Sequence, residues 1–413
     1  MKIKLSVAIF FILFLLGCEI KPQDKTLDSA KQAESNEKIV QEKQNEVDLK
    51  VEEQVAETIP EVVENIELNK GDKIPPFEFT EGIYVSAYTA ASSRFPALLD
   101  SAAAAGINTI VFDLKNMNGH VFFSVPQTDA LKRDRYKTII DIPEVVKTLH
   151  ERNMRAVSRI VVFHDQFLAA RDSTLRIQKN DGTVWQENYR RKPSWLDSSN
   201  PTVQANVLYL IEQAARGGVD EVQLDYVRFP TGGKLQQASF NFQREDMAIA
   251  ARDSNYVKRT KPDIITDFVS RAQAICDQYQ TTLAADIFAI VAWQHPTDVS
   301  NTGQDIARIT QHLDMIHPMI YSSHFADNFG FRQDVPNEPY YIMFKGTKLT
   351  KNYSAEGCRV VPYIQANGWK VNYSAEYVNA QIEAIRQAGG AGYILWNASS
   401  RYNKTLGWIR AAK

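Results

Sequence analysis

The stretch VDEVQLDYVRFP, residues 219–230, alternates apolar and polar side chains and then ends at a proline. Alternation with a period of two indicates a β-strand, because successive side chains of a strand point to opposite faces. Val222 and Leu224 would face a layer of helices, whereas Gln223 and Asp225 would face the other side of the sheet. The final proline ends the strand because it has no N–H group to donate. Three side chains able to do chemistry are therefore predicted at or just beyond the carboxyl end of this strand: Asp225, Tyr226 and Arg228.

Apolar segments of the same kind recur along the chain and alternate with amphipathic helical segments. Strands are predicted at residues 82–88, 108–114, 155–163, 221–227, 282–289, 315–321, 359–365 and 391–396. Helices are predicted at residues 96–105, 142–152, 201–216, 263–279, 303–313 and 375–388. The segment YYIMFKGTKLTKNY, before the seventh strand, is irregular and gives the weakest helix signal. Eight strands that alternate with helices predict a (β/α)8 TIM barrel, and an open doubly wound sheet is the competing architecture.

The connections between these segments differ in length according to their direction. Helix-to-strand connections are tight, as in RGGVDE and GGAGY. The long connections all follow strands, at residues 116–140, 164–200, 230–260 and 322–340. Insertions therefore accumulate at the carboxyl ends of the strands, the face on which barrel enzymes build their sites.

The N-terminal segment MKIKLSVAIFFILFLLGC reads as a secretory signal, with two lysines before a short apolar core. Its end, LLGC, is similar to a bacterial lipobox, which predicts a lipoprotein signal peptide at residues 1–18 with a lipid on Cys18. An ordinary signal peptide or an uncleaved anchor are the alternatives. Residues 19–73 are rich in Glu, Lys and Gln and predict a charged, disordered linker. The sequence thus predicts a barrel domain at residues 74–413, tethered to a membrane of the cell envelope outside the cytoplasm.

The composition limits the classes of function that the protein could have. The chain has 413 residues, a formal net charge of −2 and 44% hydrophobic residues, which suits a sizeable globular core. No basic stripe stands out, so the sequence argues against nucleic-acid binding. Cys276 and Cys358 are predicted to be free buried thiols rather than a disulfide, and no CxxC spacing is present. We expect a monomer with no metal and no cofactor.

Alternation within the other strands sends further charged side chains into the barrel lumen. Asp113 and Lys115 on the second strand and Asp286 on the fifth join Asp225. Buried acids repel each other and are costly unless they are paired or used. Lys115, Arg159 and Arg228 are available as partners, so one interpretation is a structural salt-bridge layer. The other is a functional site at the mouth of the barrel.

Aromatic side chains at the same strand ends favour a carbohydrate ligand, because sugar C–H faces stack on aromatic rings while the hydroxyls accept and donate hydrogen bonds. Trp185 and Trp195, in the long loop after the third strand, are predicted to be further stacking platforms. The residues predicted to bind the sugar are Tyr84, Asp113, Lys115, Tyr226, Arg228, Tyr321, His324, Gln365, Trp396 and Asn397.

Paired carboxylates are what glycosidic cleavage requires, one as acid and one to stabilise or attack the anomeric carbon. The hypothesis is that Asp225 is the nucleophile or charge stabiliser and Asp286 the general acid. A non-catalytic lipoprotein that binds carbohydrate or the envelope through a degenerate barrel is the alternative. A metal-dependent hydrolase that uses Asp113 together with the other two aspartates is a third hypothesis.

Several segments together resemble a family of glycosyl-hydrolase-like barrels long known as a domain of unknown function, and more distantly the α-amylase-type barrels. The segments are GIYVSAY (82–88), INTIVFDLK (107–115), DEVQLDYVRFP (220–230), ADIFA (285–289), HPMIYSSHF (317–325) and YILWN (393–397). The resemblance implies a TIM barrel with a catalytic aspartate at the end of strand four, matching Asp225, and a general acid on strand five. Asp286 stands where the amylase-type relatives carry Glu, and Gln223 where they carry Arg. Val227 occupies the place of the acid in chitinase-type barrels.

Overall fold

A computed structural model describes residues 73–126, 135–188 and 191–413 of the chain. The predicted signal segment, Cys18 and the linker up to residue 72 lie outside these residues and stay predictions. Among the helices of the described residues, none is long and apolar enough to cross a membrane.

Eight parallel strand positions form a closed ring, which confirms the predicted (β/α)8 barrel. Strands one to six are Thr80–Val85, Thr109–Lys115, Arg155–Val161, Glu221–Asp225, Thr282–Ile287 and Met315–Pro318. Strand seven consists of two short segments, Arg359–Val360 and Tyr363–Gln365, and strand eight is Gly392–Trp396. The first segment of strand seven pairs with strand six and the second with strand eight, which in turn pairs with strand one. The interruption in strand seven therefore completes the ring rather than opening it.

Helices cover the outside of the barrel, and shorter elements occupy the long loops at the carboxyl ends of the strands. The α-helices are Ala87–Ala90, Phe95–Ala104, Ile142–His150, Gln166–Arg171, Pro201–Arg216, Asn241–Ala250, Lys261–Gln278, Pro296–Thr302, Ile306–Ile309, Pro339–Tyr353, Ala375–Gln387 and Asn403–Ala412. Short 3-10 turns lie at Leu235–Gln237, Ala289–Trp293, Thr310–His312, Ser322–His324, Phe329–Phe331 and Val335–Asn337. Further strands in the loops are His120–Phe123, Arg135–Ile140, Gln178–Lys179 and Ala238–Ser239.

Two helix predictions differ from the structure. The segment with the weakest signal forms a regular helix, Pro339–Tyr353, because its buried side chains pack against the barrel even though their spacing is uneven. The helix predicted at residues 303–313 is shorter, Ile306–Ile309 followed by a 3-10 turn. Gly303 has a φ of 78° and ends the preceding helix, so the new helix begins only after the Asp305 cap.

The side chains of the strands separate into two layers, as the period-two alternation predicts. One apolar cluster lies between sheet and helices and includes Phe112 and Leu224. A smaller cluster fills the lumen and includes Tyr84 and Tyr363. At the end of the lumen away from the carboxyl ends, the buried Glu221 carboxylate is paired with the Arg155 guanidinium at 2.5 Å. The lumen is therefore a packed core, and the charges at this end of it are paired.

Strand eight begins at a glycine because the backbone of strand one lies too close to leave room for a side chain. Gly392 has a φ of 144°, and a Cβ there would lie 2.2 Å from the Thr80 carbonyl oxygen on strand one. We expect Gly392→Ala to lower the free energy of unfolding by about 3 kcal/mol, because the overlap involves backbone that cannot move aside. Urea denaturation measures this. Gly407→Ala is the matched control: its Cβ would meet nothing within 4 Å in a helix, and it should gain up to about 1 kcal/mol.

Candidate functional site

Asp225 ends strand four, and Arg159 on the neighbouring strand three contacts it. The Asp225 carboxylate accepts hydrogen bonds on Oδ2 from Arg159 Nε at 3.0 Å and Nη2 at 2.5 Å. Its Oδ1 accepts a hydrogen bond from the backbone N–H of Tyr226 at 2.6 Å. Both side chains are buried, so the two charges attract each other with little solvent screening.

Asp113 on strand two binds the other side of the same guanidinium. Its Oδ1 accepts a hydrogen bond from Arg159 Nη1 at 2.5 Å, and its Oδ2 accepts one from the Tyr84 hydroxyl at 2.6 Å. Burial raises the pKa of the Asp113 carboxyl, and the Arg159 charge opposes that effect. Arg159 therefore bridges two of the three predicted acids.

Asp286 on strand five has a different environment. Burial raises the pKa of its carboxyl well above the ordinary value of 3.8, and the nearby Asp225 charge raises it further. A hydrogen bond from Gln223 Nε2 at 2.6 Å opposes this effect only in part. In the part of the chain that the structure describes, no cation forms an ion pair with Asp286. The Arg159 charge also opposes the rise in the Asp286 pKa, but without direct contact. The two acids thus differ in environment: Asp225 is paired with a guanidinium, whereas the pKa of Asp286 is raised.

The three aspartates line one cavity of about 680 Å3 at the mouth of the barrel, which we call the central cleft. Nine of the twelve residues predicted to be catalytic or to bind sugar line it: Tyr84, Asp113, Asp225, Tyr226, Asp286, Tyr321, His324, Gln365 and Trp396. Their roles remain predictions, but the expected convergence of acids and aromatic rings at one set of strand ends is present.

Aromatic rings form the walls of the central cleft. The rings of Tyr84 and Trp396 lie 4.2 Å apart between centroids, and the Arg159 guanidinium lies 5.3 Å from the Trp396 ring. Trp369, in the loop after strand seven, is half exposed, and its ring lies 5.0 Å from that of His324. An exposed ring on a polar rim is suited to stacking on a sugar.

Tyr226 follows strand four in an unusual conformation. Its φ of 54° lies in the left-handed region, which costs a side-chain-bearing residue roughly 1 kcal/mol or more. The conformation directs its N–H to Asp225 and its ring to the wall of the cleft. It also ends the strand alternation, so side chains beyond it no longer follow the lumen pattern.

Three predicted site residues do not line the central cleft. A register shift on strand two between Asp113 and Lys115 turns the lysine away, and its ammonium binds the buried Asp165 carboxylate at 3.0 Å. Lys115 is therefore not the partner of Asp225. Arg228 is not its partner either, because it lies beyond the Tyr226 turn, over the Trp195 ring. Asn397 Nδ2 donates to the carbonyl oxygens of Ala366 and Arg401, so it holds loop backbone.

The tryptophans predicted as exposed platforms are buried. Trp185 and Trp195 are 3% and 2% exposed, because the long loop after strand three packs into the main apolar cluster. Trp185 Nε1 donates to the carbonyl oxygen of Lys234, and Trp195 Nε1 donates to Glu187. Trp369, which the sequence reasoning did not select, has the exposure expected of a platform.

Three residues at the site were missed as functional residues: Arg159, Gln223 and Tyr363. Arg159 was considered only as one of several partners. Strand three lies between strands two and four, so its lumen-facing residue is next to both Asp113 and Asp225. This adjacency follows from strand order and could have identified it.

The three aspartates do not form a metal site. No group of three His, Cys, Asp or Glu side chains within residues 73–126, 135–188 and 191–413 is arranged to hold a metal ion. Arg159 already occupies the position between Asp113 and Asp225 where a bridging cation would lie. The third hypothesis, a metal-dependent hydrolase, therefore lacks its ligand set among the described residues.

A closed (β/α)8 barrel with an acid pair and aromatic walls at the carboxyl ends of its strands defines the class: a glycoside-hydrolase-type barrel. The sequence profile of the family described as "Putative glycosyl hydrolase domain" matches residues 82–402. The chain belongs to this family.

Solved structures share the fold at low sequence identity. The glycoside hydrolase domain of PgaB (BpsB) from Bordetella bronchiseptica is 13% identical with a TM-score of 0.56, over 80% of this chain and 98% of that one. The β-amylase catalytic domain from Paenibacillus polymyxa is 10% identical with a TM-score of 0.54, over 81% and 98%. The β-galactosidase from Marinomonas ef1 is 10% identical with a TM-score of 0.55, over 81% and 59%. No curated protein sequence matches the chain.

Proposed function

We propose that this protein hydrolyses glycosidic bonds within a polysaccharide. The observation that carries the proposal is the pairing, in one cleft, of a carboxyl group with a raised pKa, Asp286, and a carboxylate held by a guanidinium, Asp225. Membership of the glycosyl hydrolase family supports it.

The two acids divide the reaction between them. Asp286 would protonate the glycosidic oxygen as the bond breaks, since it is the group that retains a proton. Asp225 would stabilise the positive charge that develops on the anomeric carbon, or attack it as nucleophile. Asp113 would fix Arg159 in place, while Tyr84, Tyr226, Tyr321 and Trp396 would surround the sugar.

A glycan screen tests the function. The protein would be incubated with bacterial envelope, plant and host polysaccharides, and new reducing ends and product masses would be measured. We expect product from one glycan class with the wild type. An inactive Asp225→Asn protein run beside it excludes a contaminating enzyme. Absence of any product, together with measurable glycan binding, would refute hydrolysis.

The pH dependence follows from the raised pKa of Asp286. A general acid acts in its protonated form, so kcat/KM should fall as the pH rises through the Asp286 pKa, and this limb should lie well above pH 3.8. The folded state retains a proton there that the unfolded chain releases, so wild-type stability falls as the pH rises above 3.8. Asp286→Asn removes that loss. Urea denaturation across the range should therefore show the variant gaining stability relative to wild type as the pH rises; a constant difference would contradict the assignment.

A non-catalytic carbohydrate-binding role is the second candidate, and one observation favours it. Both oxygens of Asp225 already accept hydrogen bonds, from Arg159 and from the Tyr226 N–H group, as in a purely structural salt-bridge layer. Binding without turnover, retained in Asp225→Asn but lost on replacing Trp369 and Trp396, would support this role.

We further propose that the protein acts outside the cytoplasm, tethered through a lipid on Cys18. The signal-like segment and the lipobox-like LLGC support this placement. Stable anchoring takes more than one acyl chain, which a lipoprotein N-terminus supplies. Metabolic labelling with a fatty acid, lost in Cys18→Ser, would test it.

A further inference from the structure

A second cavity, of about 1100 Å3, opens beside the central cleft, and we call it the side pocket. Met117, Asn118 and Tyr226 line both cavities, so the two are adjacent. The other walls come mainly from the long loops after strands two and three, including His164 and Trp195. A sugar chain lying in the central cleft would have its neighbouring units or substituents at the side pocket.

Positive charge dominates the lining of the side pocket. The cationic side chains there are Arg135, Arg171, Arg191, Lys192 and Arg228, and Glu187 is the one carboxylate among the described lining residues. The Glu187 carboxylate is already engaged: Oε2 accepts from Trp195 Nε1 at 3.0 Å and Oε1 from the Gly232 N–H group at 3.0 Å. A cavity with this balance attracts anions and repels cations.

Arg228 distinguishes this pocket from an ordinary basic surface. It is 7% exposed, and its guanidinium lies 4.8 Å from the rings of both Trp195 and Phe288. No carboxylate of the described residues forms an ion pair with it, and its Nε has no hydrogen-bond partner there. Nη1 donates only to the Phe229 carbonyl oxygen, at 2.9 Å.

A buried, unpaired guanidinium is costly to keep, and stacking on aromatic rings offsets only part of the cost. Burial lowers the pKa of Arg228, which an anion in the side pocket would counteract. The planar guanidinium has five N–H donors and suits a carboxylate or another oxyanion. The unpaired N–H donors of Arg228 are therefore suited to an anionic group on the ligand.

We propose that the side pocket is a subsite for an acidic substituent of the glycan, a carboxylate, sulfate or phosphate group bound by Arg228 and the exposed cations around it. The substrate would then be an acidic polysaccharide. The inference rests on the proposed function only in that a sugar chain occupies the central cleft.

Matched pairs of ligands test the subsite, with the full-length Asp286→Asn protein so that binding is measured without turnover. The pairs are polygalacturonate and its methyl ester, dextran sulfate and dextran, and phosphorylated and unphosphorylated mannan oligosaccharides. Calorimetry should show one acidic member binding at least about tenfold more tightly than its neutral partner, the effect of one charge-assisted hydrogen bond. The preferred pair identifies the acidic group. The preference should decline as salt rises.

Substitutions in the side pocket test whether its cationic residues cause the preference for the acidic ligand. Arg171→Gln with Lys192→Gln removes two exposed charges, and Arg228→Gln removes the buried one. Each should reduce the ratio of acidic to neutral binding about tenfold, because the acidic group loses a charge-assisted hydrogen bond that the neutral partner never makes. The control is Lys147→Gln with Lys404→Gln, which makes the same charge change on exposed helix positions elsewhere and should keep the preference.

Equal binding within every pair would overturn the subsite, as would a preference that both sets of side-pocket variants retain. Cleavage of a neutral glycan without acidic preference would refute the subsite and leave the hydrolase intact. An acidic preference without cleavage by wild type would refute the hydrolase and leave the subsite intact.

Discussion

Asp286→Asn should lower kcat/KM on a natural glycan by about a thousandfold, within the range that general acid catalysis contributes. Asn keeps an oxygen that can accept the hydrogen bond from Gln223 Nε2, so the fold should survive while the proton is lost. The loss should be much smaller on a nitrophenyl glycoside, because a nitrophenolate departs without protonation. Steady-state kinetics on the two substrates measures the difference.

Asp225→Asn should lose activity on both substrates, because charge on the anomeric carbon develops with any leaving group. It should also be less stable, since Arg159 and the Tyr226 N–H group donate to different oxygens, and Asn replaces one of these oxygens by an NH2 group that cannot accept. Asp314→Asn is the matched control: burial raises the pKa of Asp314 as well, but it precedes strand six at the opposite end of the barrel and should leave kcat/KM unchanged. Wild-type rates in both Asp225→Asn and Asp286→Asn would overturn the assignment.

Alternation along the sequence predicted which side chains enter the lumen, because the face of a strand residue depends only on its parity. Asp113, Asp225 and Asp286 were placed correctly on this ground. Parity fails where the backbone departs from a regular strand. The shift after Asp113 turned Lys115 away, and the left-handed Tyr226 removed the following residues from the pattern.

The partner of an acid depends on contacts between strands rather than on position along one strand. Arg159 is 66 residues from Asp225 in sequence yet lies on the adjacent strand, whereas Arg228 is close in sequence and contacts other groups. The resemblance to amylase-type barrels implies an arginine at position 223, which is Gln here, and Arg159 supplies a guanidinium to Asp225 from strand three. The exposure of the loop tryptophans could not be predicted from the sequence either, because it depends on whether the loop packs onto the main apolar cluster.

Arg159→Met should lower the free energy of unfolding by about 3–5 kcal/mol at neutral pH, the cost of breaking a buried ion pair from one side. The substitution leaves Asp113 and Asp225 buried without a cation. The Arg159 charge now opposes the burial that raises the pKa of Asp113, so in the variant that pKa should rise further. Asp113 would then retain a proton that the unfolded chain releases as the pH rises, which makes the loss largest at neutral pH and smaller toward pH 4. Urea denaturation at several pH values measures this.

The surface pair of Arg152 and the largely exposed Asp100, at 3.0 Å, provides the control: Arg152→Met should cost less than about 1 kcal/mol with little pH dependence. Adding Asp113→Asn to Arg159→Met should recover part of the stability, because it removes one of the two unpaired charges. A small, pH-independent loss in Arg159→Met would mean that the two aspartates are already protonated in the wild type. Asp225 would then carry no charge to stabilise an anomeric carbon, and the division of roles with Asp286 would fail along with the stability prediction.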